Sequence, residues 1–259
     1  MHQSRFAALT TAAFIGFTSV TFAADLPTKA PVDRAPVTTV YNWSGCYLGA
    51  QGGYGWGRSQ HIAKGTIDGV VNPTGPAGTP ITEKYRVDGG LAGGEVGCNL
   101  QNDRWVFGVE GDGSWSGMKG SSFDIPPFTV TTLSTTEQRW FATARGRIGY
   151  AFDSAIIIHV PVLFYITGGA AFAGLDIGVL GSNPVTESHT ATGWTVGYGS
   201  EYALSGNWSL KSETLYARFS DTASHQFVAT TNYRDVPMHQ WVWRIGLNYR
   251  FGGDIFGIH

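Results

Sequence analysis

The residues best suited to hydrolytic chemistry lie in a polar stretch near the C-terminal end of the chain. Ser224 and His225 are adjacent there, with Asp221, Asp235 and His239 close by in sequence. A serine or aspartate beside a histidine is the arrangement that activates a nucleophile. The chain contains no G-x-S-x-G motif, and histidines in polar loops are usually solvated. We therefore expect no enzyme, although this cluster remains the hydrolase candidate.

Histidines and cysteines are the other candidate ligands. His61, His189, His225 and His239 show no spacing typical of a metal or haem site, and two cysteines cannot form a four-cysteine zinc site. We expect no metal and no cofactor.

The composition favours a membrane β-barrel. Of 259 residues, 14% are charged, 36 are glycine and nine are tryptophan, whereas soluble domains have roughly 25% charged residues and about 7% glycine. The 17 basic and 19 acidic residues form no basic excess, which argues against a nucleic-acid binder. The longest apolar run, 155–166, is interrupted by His159 and Pro161 and is shorter than the about 20 residues of a helical span.

Apolar and polar residues alternate most clearly from Trp105 to Ser116. The odd-numbered positions are apolar residues or glycine, with tryptophan at both ends, and the even-numbered positions carry Glu110 and Asp112. Alternate residues of a strand point to opposite faces. The tryptophans at 105 and 115 would lie roughly 33 Å apart along a strand, or about 25 Å in height after a tilt of about 40°, which matches the apolar band of an outer-membrane barrel.

The alternation recurs along the chain and gives eight strands, the smallest even number known for such barrels. They cover 46–56, 85–100, 105–116, 139–150, 162–173, 194–204, 208–217 and 241–251. We predict an all-β fold, an eight-stranded antiparallel up-and-down transmembrane β-barrel over residues 43–251.

The connections alternate in length and thereby predict the orientation. Short links at 101–104 and 205–207 and a medium one at 153–160 should be periplasmic, and long loops at 57–84, 117–136, 174–190 and 220–237 should be extracellular. The expected inner aromatic girdle is Trp43, Trp105 and Trp208, and the expected outer girdle is Trp56, Trp115, Trp140, Trp194 and Trp241, with Trp243 one step deeper.

The inward parity collects charges of both signs. The predicted lumen network comprises Glu95, Glu110, Asp112, Glu201 and Glu213 with Arg139, Arg145, Arg147, Lys211, Arg244 and Arg250. An eight-stranded barrel is just wide enough for its own side chains, and unpaired ions there would cost several kcal/mol each. We expect paired charges that plug the lumen; a narrow pore is the alternative. A carboxylate acid/base pair for catalysis would need a cleft open to substrate.

Cys46 and Cys98 share the outward parity near the periplasmic ends of adjacent strands. A hairpin centred near residue 72 places them opposite each other, within about 4.5–5.5 Å between Cβ atoms. The bacterial envelope is oxidising, so a cross-strand disulfide is expected. Two free, lipid-facing thiols are the alternative.

The chain ends carry segments outside the barrel. Residues 1–24 combine Arg5, an apolar stretch and small residues before position 25, as in a cleaved signal peptide. Residues 25–42 contain three prolines and no apolar periodicity, which indicates a periplasmic tether. Residues 252–259 form a C-terminal extension.

Several sequence blocks together resemble a known family, the small outer-membrane β-barrel proteins of α-proteobacteria of the outer-membrane immunogenic or RopB type, which share an OmpA-like barrel. The blocks are NWSGCYLG (42–49), FGVEGD (107–112), RGRIGY (145–150), YITGGAA (165–171), GWTVG (193–197), EYAL (201–204), WSLK (208–211) and RIGLNYRF (244–251). The resemblance implies a Gram-negative outer-membrane protein that supports envelope integrity and surface interaction, is often called porin-like, and acts as a surface antigen rather than an enzyme.

Two departures from that family stand out. Its chains usually end at the terminal aromatic of the last strand, which the assembly machinery reads. Tyr249 and Phe251 would be that signal here, but the chain continues to residue 259, so Phe256 could substitute. The segment 154–161 is also longer and more apolar than an ordinary periplasmic turn.

We interpret the chain as a structural outer-membrane barrel with a charge-plugged lumen and four surface loops. A small passive channel is one alternative, and a surface receptor or adhesin, including a haemin-binding one, is another. The expected partners are outer-membrane lipid and lipopolysaccharide, the barrel-assembly machinery during biogenesis, and an unidentified extracellular ligand; no nucleic acid is expected.

Overall fold

A computed structural model describes residues 41–63, 66–67, 70–71, 78–128, 130–153, 160–181, 184–219, 225–226 and 233–251. The predicted signal peptide, almost all of the predicted tether, the apolar segment 154–159 and the extension 252–259 lie outside these residues. The domain boundaries therefore stay predictions. Among the described residues, no helix has the length and apolar character needed to cross a bilayer.

Eight long strands form one closed antiparallel barrel. They are β1 Gly45–Ser59, β2 Tyr85–Asn102, β3 Trp105–Phe123, β4 Leu133–Phe152, β5 Val162–Leu180, β6 Val185–Ala203, β7 Trp208–Phe219 and β8 Met238–Phe251. Each strand pairs with its neighbours in sequence, and β1 pairs with β8 to close the ring. The predicted fold class is confirmed.

The two barrel ends differ in how the strands are joined. At one end β2 turns into β3 through Asp103 (φ 54°), and β6 turns into β7 through Gly206 (φ 64°). Both are left-handed conformations, which aspartate and glycine adopt more readily than most residues. Short turns are typical of the periplasmic end of outer-membrane barrels, and we orient the molecule accordingly.

At the other end the strands run well past the predicted loop boundaries. Residues 174–190, expected to be a loop, instead continue β5 and β6, which are joined by 181–184. The ladder is favoured here because Leu175 and Ile177 point inward and are buried. Five short strands also occur at Ile62–Ala63, Thr66–Ile67, Val70–Val71, His225–Gln226 and Tyr233–Asp235.

The outward face of the barrel is apolar between two aromatic girdles. Seven of the eight predicted girdle tryptophans are outward-facing, at 37–80% exposure: Trp56, Trp105, Trp115, Trp140, Trp194, Trp208 and Trp241. Edge contacts join neighbouring rings, as between Trp105 and Tyr150 at 5.3 Å and between Tyr216 and Trp241 at 5.0 Å. Such a band fits a bilayer and leaves the charged face inside.

Trp43 is a correction to the predicted inner girdle. Its side chain is fully buried inside the periplasmic mouth, not turned toward lipid. Trp43 has the same parity as Gly45 and Tyr47, the inward positions at the start of β1, so the alternation itself directs its side chain inward and its assignment to the girdle was wrong. The Arg250 guanidinium group makes a cation–π contact with the Trp43 ring, with its central carbon 4.9 Å from the ring centroid.

Arg139 is a second correction, because it does not point into the lumen. The register between β4 and β5 shifts between Gln138 and Trp140, and the register between β3 and β4 shifts at the same level. A β-bulge of this kind adds one residue and changes the parity of the strand. Arg139 is therefore exposed and pairs with Asp176 on the outer surface.

Candidate functional site

The interior of the barrel holds most of the charged side chains that the sequence pattern assigns to it. Ten of the eleven predicted lumen residues are buried, namely Glu95, Glu110, Asp112, Glu201, Glu213, Arg145, Arg147, Lys211, Arg244 and Arg250. With Arg139 removed, the set contains five carboxylates and five cations. The strand alternation places them there, because each lies at an inward position of its strand.

Glu213 on β7 is at the centre of the network. Its carboxylate accepts hydrogen bonds from Arg145 at 2.9 Å, from Arg244 at 2.8 Å and from the Tyr165 hydroxyl at 3.0 Å. Both arginines also bind Asp112, Arg244 through two nitrogens at 2.7 and 3.0 Å and Arg145 at 3.0 Å. Two carboxylates and two guanidinium groups thus form one continuous cluster that crosses the lumen.

Lys211 extends the cluster toward the periplasm. Its ammonium group donates to Glu95 at 2.7 Å and to Glu110 at 2.7 Å. Glu110 also accepts hydrogen bonds from the Tyr47 hydroxyl and from Arg145. The side chains of Lys211, Glu95 and Glu110 are at most 1% exposed, so these charges are compensated by each other and not by water.

The periplasmic half of the network is built around Arg147. This guanidinium donates to Asn99 at 2.9 Å and to Glu201 at 3.2 Å. It lies between the rings of Tyr47 and Tyr165, 4.9 and 5.0 Å from their centroids. Such stacking stabilises a buried cation in addition to its ion pair.

Apolar side chains seal the lumen on both sides of the charged layer. On the extracellular side, Phe141 and Phe219 meet edge to face at 6.3 Å. They belong to a buried cluster of Tyr85, Val87, Leu91, Met118, Phe141, Ala171, Ala173, Leu175, Ala191, Leu215, Ala217, Phe219, Met238 and Val242. On the periplasmic side, Trp43 packs with Val106, Ala151, Leu163, Tyr165 and Ala203. The charged layer is therefore closed at both ends.

Tyr47 and Tyr165 are important residues that sequence reasoning left out of the network. Each tyrosine lies over an inward glycine of a neighbouring strand: a Cβ on Gly97 would fall 2.3 Å from the Tyr47 hydroxyl, and one on Gly199 would fall 2.5 Å from the Tyr165 hydroxyl. The glycines leave room for the rings to cross the lumen. An inward tyrosine beside an inward glycine on the adjacent strand is the signal that could have identified both.

Cys46 and Cys98 form a disulfide, with an S–S distance of 2.03 Å and a Cα–Cα distance of 3.9 Å. The two residues are direct partners in the β1–β2 register, on the outward face near the periplasmic end. The last strand places Tyr249 and Phe251 outward as well, at 42% and 43% exposure. Their role as an assembly signal stays a prediction.

A second polar cluster, above the outer girdle, ties the extracellular strand ends together. Arg234 donates to Ser134 at 2.8 Å and to Asp124 at 3.3 Å, and Ser134 donates to Asp124 at 2.6 Å. His61 approaches Thr136 at 3.4 Å from the other side. Burial raises the pKa of the Asp124 carboxyl, with the Ser134 hydroxyl and the Arg234 charge acting in the opposite direction.

The residues considered for catalysis and metal binding are only partly described. Ser224 and Asp221 lie outside the described residues. His239 lies on the outward face of β8 and His61 lies in the buried cluster above the girdle, so these two histidines do not share a site. Within the described part of the chain, no three His, Cys, Asp or Glu side chains come together as metal ligands would.

Comparison with known proteins places this architecture among outer-membrane barrels. The family model "Outer membrane protein beta-barrel domain" matches residues 35–251. The chain is 31% identical over 233 residues to the 31 kDa outer-membrane immunogenic protein of Brucella melitensis, with 87% of this chain and 88% of that protein covered. It is 30% identical to the 25 kDa outer-membrane immunogenic protein of Brucella canis, covering 94% and 96%. Among solved structures, OprG from Pseudomonas aeruginosa aligns with a TM-score of 0.46 at 14% identity, over 81% of this chain and 97% of that one.

Proposed function

Given that this chain belongs to the outer-membrane protein β-barrel family, and is an integral protein of the Gram-negative outer membrane, we propose that it has a structural role with a closed lumen. The barrel occupies the membrane, holds its extracellular strand ends in place and conducts no solutes.

The single observation that carries the proposal of a closed barrel is the charged layer formed by the side chains of Arg145, Arg244, Asp112 and Glu213. Their side chains are 0–4% exposed, and each is bonded to a partner on another strand. A path through the lumen would require these side chains, which bond to one another across it, to separate and move aside, and the ion pairs of the buried layer would be lost. The two apolar clusters add further barriers above and below.

Solute uptake by proteoliposomes tests the proposal. The refolded full-length chain is reconstituted into liposomes, which are then placed in isotonic arabinose, and swelling is followed by light scattering. A closed barrel gives the same rate as protein-free liposomes, and a 16-stranded porin serves as the positive control. Swelling that increases with the amount of reconstituted chain would favour the small passive channel instead.

A second candidate function, surface binding, is favoured by apolar side chains at the extracellular strand ends. Phe123 at the end of β3, Val130 in the following loop and Leu180 at the end of β5 are 60%, 55% and 44% exposed. Exposed apolar side chains that cluster can mark interaction sites. Cells displaying the F123S/L180S variant should adhere less to octyl-coated beads than cells displaying the unmodified chain. Equal adherence would count against this role.

A further inference from the structure

A row of basic side chains lies on the outward face of four adjacent strands, just above the outer girdle. The register aligns Arg86 on β2 with Arg58 on β1, Arg58 with His239 on β8, and His239 with Arg218 on β7. All four side chains are exposed. We propose that this row, with Lys84 beside it and called here the basic row, binds the phosphate groups of a phosphorylated glycolipid in the outer leaflet.

The height of the basic row is the first argument. Arg58, His239 and Arg218 each lie two residues beyond an aromatic residue of the outer girdle, namely Trp56, Trp241 and Tyr216 respectively. Two residues of a tilted strand correspond to about 5 Å of height. Girdle aromatics mark the boundary of the hydrocarbon region, so the cations lie at the level of the lipid headgroups, facing lipid and not the lumen.

Two clefts in the surface beside the basic row are the second argument. Two neighbouring clefts share His239. The larger one, about 710 Å³, is lined by Lys84, Trp194, Tyr216, Arg218, Phe219, Pro237, Met238 and His239. The smaller one, about 340 Å³, is lined by Trp56, Gly57, Arg58, Arg86, His239 and Trp241. Each cleft combines aromatic rings from the girdle with cations above them. A lipid with acyl chains below and phosphate above has the matching arrangement, whereas a free phosphate would leave the aromatic surface uncovered.

Charge balance within the basic row is the third argument. Arg86 is neutralised by Asp88 at 2.9 Å, but no carboxylate in the described part of the chain lies within ion-pair distance of Arg58 or Arg218. The register places Arg58 and Arg218 on either side of His239, so the two unpaired guanidinium groups lie two strands apart at one level. A phosphate group would relieve their mutual repulsion.

The next two strands beyond the basic row, β3 and β4, show that this arrangement is local. There, Arg139 pairs with Asp176, and Lys119 lies opposite Glu137 in the β3–β4 register. The cations on these two strands are thus matched by carboxylates of the protein. The unpaired cations are concentrated on β1 and β7, on either side of β8.

Binding of diphosphoryl lipid A to the refolded full-length chain in phosphatidylcholine nanodiscs tests the proposal. The R58Q/R218Q variant should bind it about 25-fold more weakly, at about fivefold for each cation removed near a charged lipid surface. The matched control, K119Q/R139Q, removes two exposed cations on β3 and β4, outside the basic row and each beside a carboxylate of the protein, and should bind as the unmodified chain does. Fully dephosphorylated lipid A should bind both variants and the unmodified chain equally weakly.

The inference would be overturned by equal losses in the two variants, by no loss in R58Q/R218Q, or by dephosphorylated lipid A binding as tightly as the diphosphoryl form. Inorganic phosphate at 50 mM should compete only weakly, and full displacement by it would identify a simple anion site instead. Should R58Q/R218Q fail to fold, a salt titration of the unmodified chain replaces it. Binding that does not weaken with added salt would then contradict the proposal, because exposed charges are screened at a Debye length of about 8 Å.

Discussion

Glu213 and Arg244 face each other across β7 and β8, and their side chains meet inside the barrel at 2.8 Å. Both lie at inward positions of their strands, so the strand register alone brings them together. Arg244 then reaches across the lumen to Asp112 on β3. A pair that forms between neighbouring strands is in this way connected to the far wall, and the charged layer closes the lumen.

Loss of one charge at this pair should destabilise the barrel. Glu213→Gln leaves Arg145 and Arg244 with one carboxylate fewer in a buried layer, and breaking such a pair costs roughly 3–5 kcal/mol. We expect a loss of this size in the free energy of unfolding, measured by urea titration in lipid vesicles. The control is Asp153→Asn at the exposed pair with Arg104, 3.4 Å apart, where less than about 1 kcal/mol should be lost. Similar losses for the two variants would show that the buried ion pairs contribute no more to the free energy of unfolding than an exposed pair does.

A charge placed on the lipid-facing side should also be costly. Val109 is 66% exposed and lies near the middle of the apolar band, between Trp105 and Trp115. Val109→Arg should lower the free energy of unfolding by roughly 2–4 kcal/mol, the cost of arginine at the bilayer midplane. Val130→Arg, at a site of 55% exposure beyond the strand ends, should change it by about 0.5 kcal/mol or less. If Val109→Arg were as well tolerated as Val130→Arg, that surface would be facing water.

The disulfide should stabilise the barrel by restricting the unfolded chain. Cys46 and Cys98 are 52 residues apart in sequence, and closing a loop of this size is worth about 4 kcal/mol. Reduction, or the C46S/C98S variant, should lower the free energy of unfolding by about that amount. Reductant should have no effect on C46S/C98S, and the unmodified chain should migrate differently in reducing and non-reducing gels. Identical migration would mean that the thiols are free in the cell.

The strand alternation was sufficient to predict the barrel and ten of its lumen charges, because one face of every strand meets lipid. The pairing of Cys46 with Cys98 also followed from simple counting across a hairpin. Both inferences depend only on a period of two residues, which a closed antiparallel sheet imposes along each strand.

Where that period is interrupted, the sequence pattern failed. Arg139 lies in a bulge, and one extra residue reverses the face to which it points. Trp43 is a different case, because it shares the inward parity of Tyr47 and the alternation is continuous there; only its assignment to the girdle was wrong. The apolar clusters were also missed, because inward residues such as Phe141 and Leu215 are isolated in sequence and meet only when the ring closes.

Single-channel recording in a planar lipid bilayer tests the closed lumen most directly. The refolded full-length chain, inserted in 1 M KCl and held at 100 mV, should produce no conductance steps above the baseline of the bilayer. Insertion is verified in the same membranes by protease protection of the barrel. Regular, reproducible steps from the unmodified chain would contradict the account, since ions could then pass the layer formed by Arg145, Arg244, Asp112 and Glu213.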